Sequence, residues 1–221
     1  MAKKTIRGVY AVTPDLGNTA QLLQGVEQCL HGGVRLVQYR NKAASDALRS
    51  DQASLLRDLC ARYDAVFIVN DDVELARQVD ADGVHIGKED GLIAHARAKL
   101  GMNKLIGFSC YNELALARSA AATGVDYVAF GSMFPSSVKP LARKAPLRLL
   151  TDARRMLSAV PIVGIGGISL ANAARVIDAG ADAVAVISGI FDQPSVESAA
   201  RALCALFDPV AIQTQYGECE R

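Results

Sequence analysis

Gly180-Ala-Asp-Ala-Val-Ala-Val186 ends one amphipathic run and opens a short apolar one, and the same joint occurs twice more. Ala81-Asp-Gly-Val-His-Ile86 and Gly124-Val-Asp-Tyr-Val-Ala-Phe130 each put an Asp just before a β-branched or aromatic stretch. We read the three as one αβ turn used repeatedly. Outward from these joints the chain alternates short apolar runs with longer segments of helical periodicity. The strand candidates are 7–13, 34–40, 65–70, 83–86, 105–109, 127–131, 161–166 and 183–188. Most are continuously apolar, as parallel strands covered on both faces must be. Helical spacing marks 19–31, 45–63 and 169–179. Gly32, Gly101, Gly124 and Gly180 stand just past such segments, where a left-handed glycine releases the chain from a helix.

Eight strands in 221 residues leave about 27 residues per βα unit, at the compact end for a (β/α)8 barrel. An open doubly wound sheet would need long crossovers for eight units, so the expected fold is a single TIM barrel of parallel strands. No linker or composition break divides the chain. The expected domain is 1–207, with 208–221 as a loose C-terminal extension.

Hydrophobic residues make up 51% and charged ones 21%, an ordinary globular composition. A net charge of +1 gives no general reason to bind nucleic acid or an anionic membrane. Five scattered cysteines without a C-x-x-C pair argue for reduced thiols and a cytoplasmic location. The basic N-terminus has no apolar segment behind it, and no run of 18 apolar residues occurs, so neither secretion nor membrane spanning is expected.

In such a barrel the chemistry sits at the C-terminal strand ends. Strand 2 ends in Gln38-Tyr-Arg40-Asn-Lys42, whose alternation puts Gln38, Arg40 and Lys42 on one face. A planar Arg fork and a Lys point charge suit a phosphate or diphosphate, although a solvated strand end reads the same way. Strand 3 ends in Asn70-Asp71-Asp72, and Glu89-Asp90 follows strand 4. Carboxylates from neighbouring ends can share Mg²⁺, or each Asp can cap the helix behind it, the reading we favour for Asp72. Gly166-Gly167 after strand 7 and Ile187-Ser188-Gly189 after strand 8 form the usual phosphate site of a barrel. The sixth loop, 131–139, adds hydroxyls and Lys139. His31 and His95 read as surface residues, and His85 as facing the barrel interior. Ser109 has no evident base and reads as a hydrogen-bond donor rather than a nucleophile.

Taken in order, these motifs resemble one family. Gln38-x-Arg40-x-Lys42, Asn70-Asp71, Gly83-Val-His-Ile-Gly87 with Glu89-Asp90, and Gly107-Phe-Ser109 are similar to thiamine-phosphate synthases. So are Asp126 to Gly131, Phe134-Pro135 through Lys139, Pro161 to Gly167, and Val186-Ile-Ser188. The resemblance covers about residues 7–207 and visits every strand end but the first. It implies a transferase of thiamine biosynthesis that condenses 4-amino-2-methyl-5-pyrimidinylmethyl diphosphate with a thiazole phosphate, releasing pyrophosphate. It further implies that Gln38, Arg40, Lys42, Asn70, Ser109 and Lys139 bind the pyrimidine diphosphate, with Arg40, Lys42, Ser109 and Lys139 serving catalysis. Asp71 and Asp90 would hold the Mg²⁺ cofactor. Ser136, Ser137, Val138, Gly167, Ile187 and Ser188 would hold the thiazole phosphate. The family usually has Thr-x-Thr before the loop lysine, so Val138 lacks a hydroxyl found elsewhere. The alternatives are a thiazole tautomerase-like isomerase and a silent thiamine-pathway binding protein.

Overall fold

The computed structural model describes residues 4–89, 92–135 and 143–208. Eight parallel strands close in chain order into a barrel. They are β1 (Gly8–Val12), β2 (Leu36–Tyr39), β3 (Val66–Asn70), β4 (Gly83–Ile86), β5 (Leu105–Tyr111), β6 (Tyr127–Phe130), β7 (Ile162–Ile165) and β8 (Ala183–Val186). Between and after them run α1 (Thr19–His31), α2 (Asp46–Arg62), α3 (Val73–Gln78), α4 (Ile93–Leu100), α5 (Leu114–Ala122), α6 (Arg148–Met156), α7 (Ala173–Asp178), α8 (Ser188–Phe191) and α9 (Val196–Ala205). This is the (β/α)8 barrel expected. Among the described residues no helix is long and apolar enough to cross a membrane. Of the expected C-terminal extension, 208–221, all but Asp208 lies outside the described residues.

The recurring Asp is the fastener of the barrel's lower rim. Asp82, Asp126 and Asp182 each accept the backbone N–H that lies one residue before the preceding strand's first pairing with the next, from Phe67, Ile106 and Ile162, at 2.8, 2.8 and 2.7 Å. Each also meets a cation: Lys4 at 3.5 Å for Asp82, Arg97 at 2.6 Å for Asp126, and Arg154 for Asp182. A strand that begins a parallel ladder has an N–H with no partner, and a buried unpaired donor costs about 1–3 kcal/mol. A carboxylate at the next strand's entrance removes that cost, which is why the same joint recurs.

Strand alternation divides the core in two. One set of side chains, including Leu36, Val66, Ile68, Leu105, Val163 and Ala183, fills the barrel. The other packs the outer face of the sheet against the helices. Side chains cap three helix starts: Asn18 accepts from Gln21 N–H, Ser45 from Leu48 and Asp72 from Leu75, the last being the cap expected from the sequence. Gly101, Gly124 and Gly180 do take left-handed φ values of 78°, 82° and 110°. Gly32 does not. Its φ is −71°, and Gly33 makes the left-handed turn instead. Gly32 is small for another reason, since a Cβ there would lie 2.6 Å from Ala200 Cβ and 2.7 Å from Glu197 O on α9.

Candidate active site

A cavity of about 480 Å³ opens at the C-terminal ends of the strands. Gln38 and Arg40 from β2 and the loop after it, Asn70 from β3, His85 from β4 and Ser109 from β5 share its wall. Gly166 and Ile187 line it from the seventh and eighth strand ends. Lys42 and Asp71 face instead a smaller adjoining pocket of about 270 Å³, together with Asn70 and Asp72. The alternation that was expected to aim Gln38, Arg40 and Lys42 together therefore holds for the first two only. β2 ends at Tyr39, and beyond it the chain is free of the strand's two-residue period.

The loop after β1, which the sequence reading passed over, fixes both cations. Asp15 accepts Arg40 Nη1 on both carboxylate oxygens at 3.1 Å and the Lys42 backbone N–H at 2.8 Å. Thr13 Oγ1 accepts from Arg40 N–H at 2.8 Å and donates to Arg40 O at 2.9 Å. Asn41 Nδ2 donates to Leu16 O at 2.8 Å. These bonds tie the first two strand-end loops together. Lys42 Nζ lies 3.0 Å from Asp71 Oδ2. Asp71 has φ 63°, a left-handed conformation that Asp and Asn tolerate better than other side chains. Asp72 is the cap of α3, as expected, through its bond from Leu75 N–H at 2.8 Å, and it also meets Arg49 at 3.2 Å.

Ser109 does have a base within reach, contrary to the sequence reading. His85 Nε2 lies 2.9 Å from Ser109 Oγ. The parallel register sets His85 beside Gly107, so the inward-facing residue two places on is Ser109, a neighbour no linear motif displays. His85 Nδ1 turns to Tyr127 Oη at 3.1 Å and not to a carboxylate, so this is not a Ser–His–acid triad. His31 and His95 are exposed, as read.

Tyr127 lies across the barrel because Gly107 has no side chain. A Cβ at 107 would fall 2.0 Å from Tyr127 Cζ. The Tyr127 hydroxyl also meets Tyr10 Oη at 2.8 Å, and Gln38 Nε2 donates to Tyr10 Oη at 2.8 Å. Burial pushes both phenols above the ordinary tyrosine range. The cavity thus has a floor of neutral hydroxyls and a rim of charges. Sequence reading missed Tyr10, Tyr127 and Arg143, which lines the cavity from the segment after the sixth loop.

The sixth and seventh loops are held by backbone bonds, Met133 N–H to Ile165 O at 2.9 Å and Phe134 N–H to Gly166 O at 3.0 Å. Gly166 and Gly167 have φ 101° and 60°, and a Cβ on Gly167 would lie 2.2 Å from Pro135 O. Gly167 stands in this turn and Ser188 opens α8, both beside the main cavity rather than on its wall. Asp90, Ser136, Ser137, Val138 and Lys139 lie outside the described residues. Among the described residues no three His, Cys, Asp or Glu side chains gather as a metal cluster. The donor at Asp71 is a hard carboxylate oxygen beside an opening, the kind of ligand Mg²⁺ takes together with phosphate oxygens.

Residues 9–190 match the family model described as thiamine monophosphate synthase. A thiamine-phosphate synthase of Methylobacillus flagellatus is 53% identical over 203 residues, 92% of this chain and 96% of that one. One from Azoarcus sp. is 54% identical over 202 residues, covering 91% and 98%. The solved thiamine phosphate pyrophosphorylase from Pyrococcus furiosus is 35% identical, with a TM-score of 0.82 over 90% of this chain and 95% of that one. With the family model spanning most of the barrel and about half the residues shared with the two synthases, the chain belongs to the thiamine monophosphate synthase family.

Proposed function

We propose that the protein condenses 4-amino-2-methyl-5-pyrimidinylmethyl diphosphate with a thiazole phosphate, giving thiamine monophosphate and pyrophosphate. Beside family membership, the observation that carries the reading is one shared wall. Gln38, Arg40, Asn70 and Ser109, all assigned to the pyrimidine diphosphate by the resemblance, line a single cavity at the strand ends. Gln38 and Ser109 sit above the buried floor and take the pyrimidine ring. Arg40 and Lys42, at the rim, take the diphosphate, with Lys139 from the sixth loop. The thiazole phosphate binds against Gly167, Ile187, Ser188 and the loop residues Ser136, Ser137 and Val138.

The chemistry asks little of a nucleophile. The bond from the pyrimidinylmethyl carbon to the diphosphate oxygen breaks, both electrons leave with the diphosphate, and the ring's amino group stabilises the cation left behind. The thiazole nitrogen then gives its lone pair to that carbon. The protein's part is to hold the two rings in line, exclude water from the cation, and neutralise the departing charge. Arg40 does the last as a fork and Lys42 as a point charge. Asp71 and Asp90 would hold Mg²⁺, which supplies further neutralisation of the diphosphate. The isomerase and silent-binder readings gain no support, since the relatives above are named as synthases or pyrophosphorylases. Omitting each substrate in turn from a reaction with Mg²⁺ tests the proposal: thiamine monophosphate forms only with both present. Thiazole isomerisation without coupling would contradict it.

A further inference from the structure

Four hydrogen bonds join five side chains into one line across the barrel floor, from Gln38 through Tyr10, Tyr127 and His85 to Ser109. We propose that Tyr10, Tyr127 and His85 are positioning residues that set the hydrogen-bond polarity of Gln38 and Ser109 together. The inference deepens the reading of this cavity as the pyrimidine site and rests on it.

Tyr10 and Tyr127 are 1% and 0% exposed, and Gln38 and His85 are 4% and 8% exposed. Water is therefore a poor substitute for any partner in the line, and each hydroxyl has one hydrogen to give. Gln38 Nε2 donates to Tyr10 Oη, so the Tyr10 hydrogen goes to Tyr127. The Tyr127 hydrogen then goes to His85 Nδ1. That leaves the imidazole proton on Nε2, facing Ser109 Oγ. Two consequences reach the cavity. Gln38 turns its carbonyl oxygen, an acceptor, away from the line, and Ser109 keeps its own hydrogen to donate.

An acceptor from β2 and a donor from β5, at the two ends of the line, suit a ring that carries both an amino group and ring nitrogens, as a 4-aminopyrimidine does. The opposite polarity also satisfies every group. It needs the Gln38 amide turned over, each bond reversed, and the imidazole proton moved to Nδ1. Ser109 would then give its hydrogen to His85 and present only lone pairs. Because each bond dictates the next, the line has two states rather than five independent choices, and only one suits an aminopyrimidine. The two phenols keep their hydrogens at neutral pH, since burial pushes both up.

Tyr127→Phe removes the middle link and keeps the ring. It should raise KM for the pyrimidine diphosphate about three- to tenfold, the equivalent of one net hydrogen bond, and leave KM for the thiazole phosphate unchanged. The ¹⁵N resonances of His85, read without substrates, should show the Nε2–H form in the wild type and a mixture of tautomers in Tyr127→Phe. Tyr10→Phe combined with Tyr127→Phe should cost no more than the larger single change, because either cut breaks the same line. A wild-type His85 in the Nδ1–H form would overturn the inference, even if the Tyr127 variant failed to fold. So would an unchanged pyrimidine KM, or single effects that simply multiply in the double variant. Absence of product from the wild type would defeat the proposed function instead, and the tautomer measurement would still stand.

Discussion

Lys42 Nζ and Asp71 Oδ2 pair at 3.0 Å across the gap between the second and third strand ends. Each is assigned to the diphosphate, one directly and one through Mg²⁺, so without ligand the two charges satisfy each other. On the proposed reading, binding of diphosphate and metal exchanges this pair for two stronger ones. Asp71→Asn keeps the shape and suits the φ of 63°, so the fold should persist. Loss of a charge-assisted contact of about 1.5–3 kcal/mol should lower kcat/KM about ten- to a hundredfold and raise the Mg²⁺ needed for half-maximal rate. Asp72→Asn is the comparison. Asn caps helices as well as Asp, and the contact to Arg49 is partly exposed, so stability should fall by no more than about 1 kcal/mol with the rate retained. A rate loss at Asp72 with an unchanged Mg²⁺ dependence at Asp71 would move the metal ligand by one residue.

Gly107→Ala should be more damaging than Gly124→Ala, since Gly107 lies inside β5 while Gly124 stands just past α5. The new Cβ at 107 meets the Tyr127 ring at 2.0 Å, and a closed barrel cannot shift the ring without disturbing the line below the site. Overpacking costs about 1–3 kcal/mol, or a fall in Tm of about 2–12 °C for a chain of this size. At 124 nothing lies within 4 Å, and only the left-handed φ of 82° opposes the change, at about 1 kcal/mol. Melting curves of the two variants, with pyrimidine KM for the first, check the contrast.

The αβ joint and the apolar runs made the barrel readable, because both are local. A strand announces itself by continuous burial, and Asp82, Asp126 and Asp182 by standing at its entrance. The polar line was not readable, since His85 and Ser109 lie 24 residues apart and Tyr10 and Tyr127 lie 117 apart. Only the barrel register brings them together. Tyr127 read as one more aromatic in a strand, and only its hydroxyl, opposite Gly107, makes it part of the site. Asp15 is a different omission: it follows the one strand end the family resemblance did not visit. The rule that strand ends carry the chemistry, applied to Val12-Thr-Pro-Asp15, would have found it.

Asp126→Ala tests the joint as a structural device. It strips a partner from the Ile106 N–H and from Arg97, whose side chain is mostly buried beside it. We expect a loss of about 2–4 kcal/mol in denaturant unfolding, with KM for both substrates unchanged in the folded fraction. A loss below about 0.5 kcal/mol would show that the joint recurs for some other reason.

Alkali should destabilise the fold earlier than tyrosine ionisation alone would. Burial pushes the thiols of Cys29, Cys60 and Cys110 up to about 12 from an ordinary 9, and it pushes Tyr10, Tyr39 and Tyr127 above the ordinary tyrosine range. A raised folded-state pKa means that the folded chain keeps protons the unfolded chain gives up. The stability these groups contribute is complete below pH 9 and is lost as pH rises toward 12. Tm measured in steps from pH 7 to 11 should be flat at first and fall from about pH 9 upward. The same thiols should resist a thiol-modifying reagent at pH 8 until the protein unfolds.

The most direct measurement is the stoichiometry of a single reaction. The protein is incubated with the pyrimidine diphosphate, the thiazole phosphate and Mg²⁺, and thiamine monophosphate and pyrophosphate are quantified in the same samples over time. The account predicts that the two products rise together in a one-to-one ratio, that neither forms when one substrate is omitted, and that Arg40→Ala slows both equally. Pyrophosphate released without thiamine monophosphate, or isomerised thiazole with no coupled product, would contradict it.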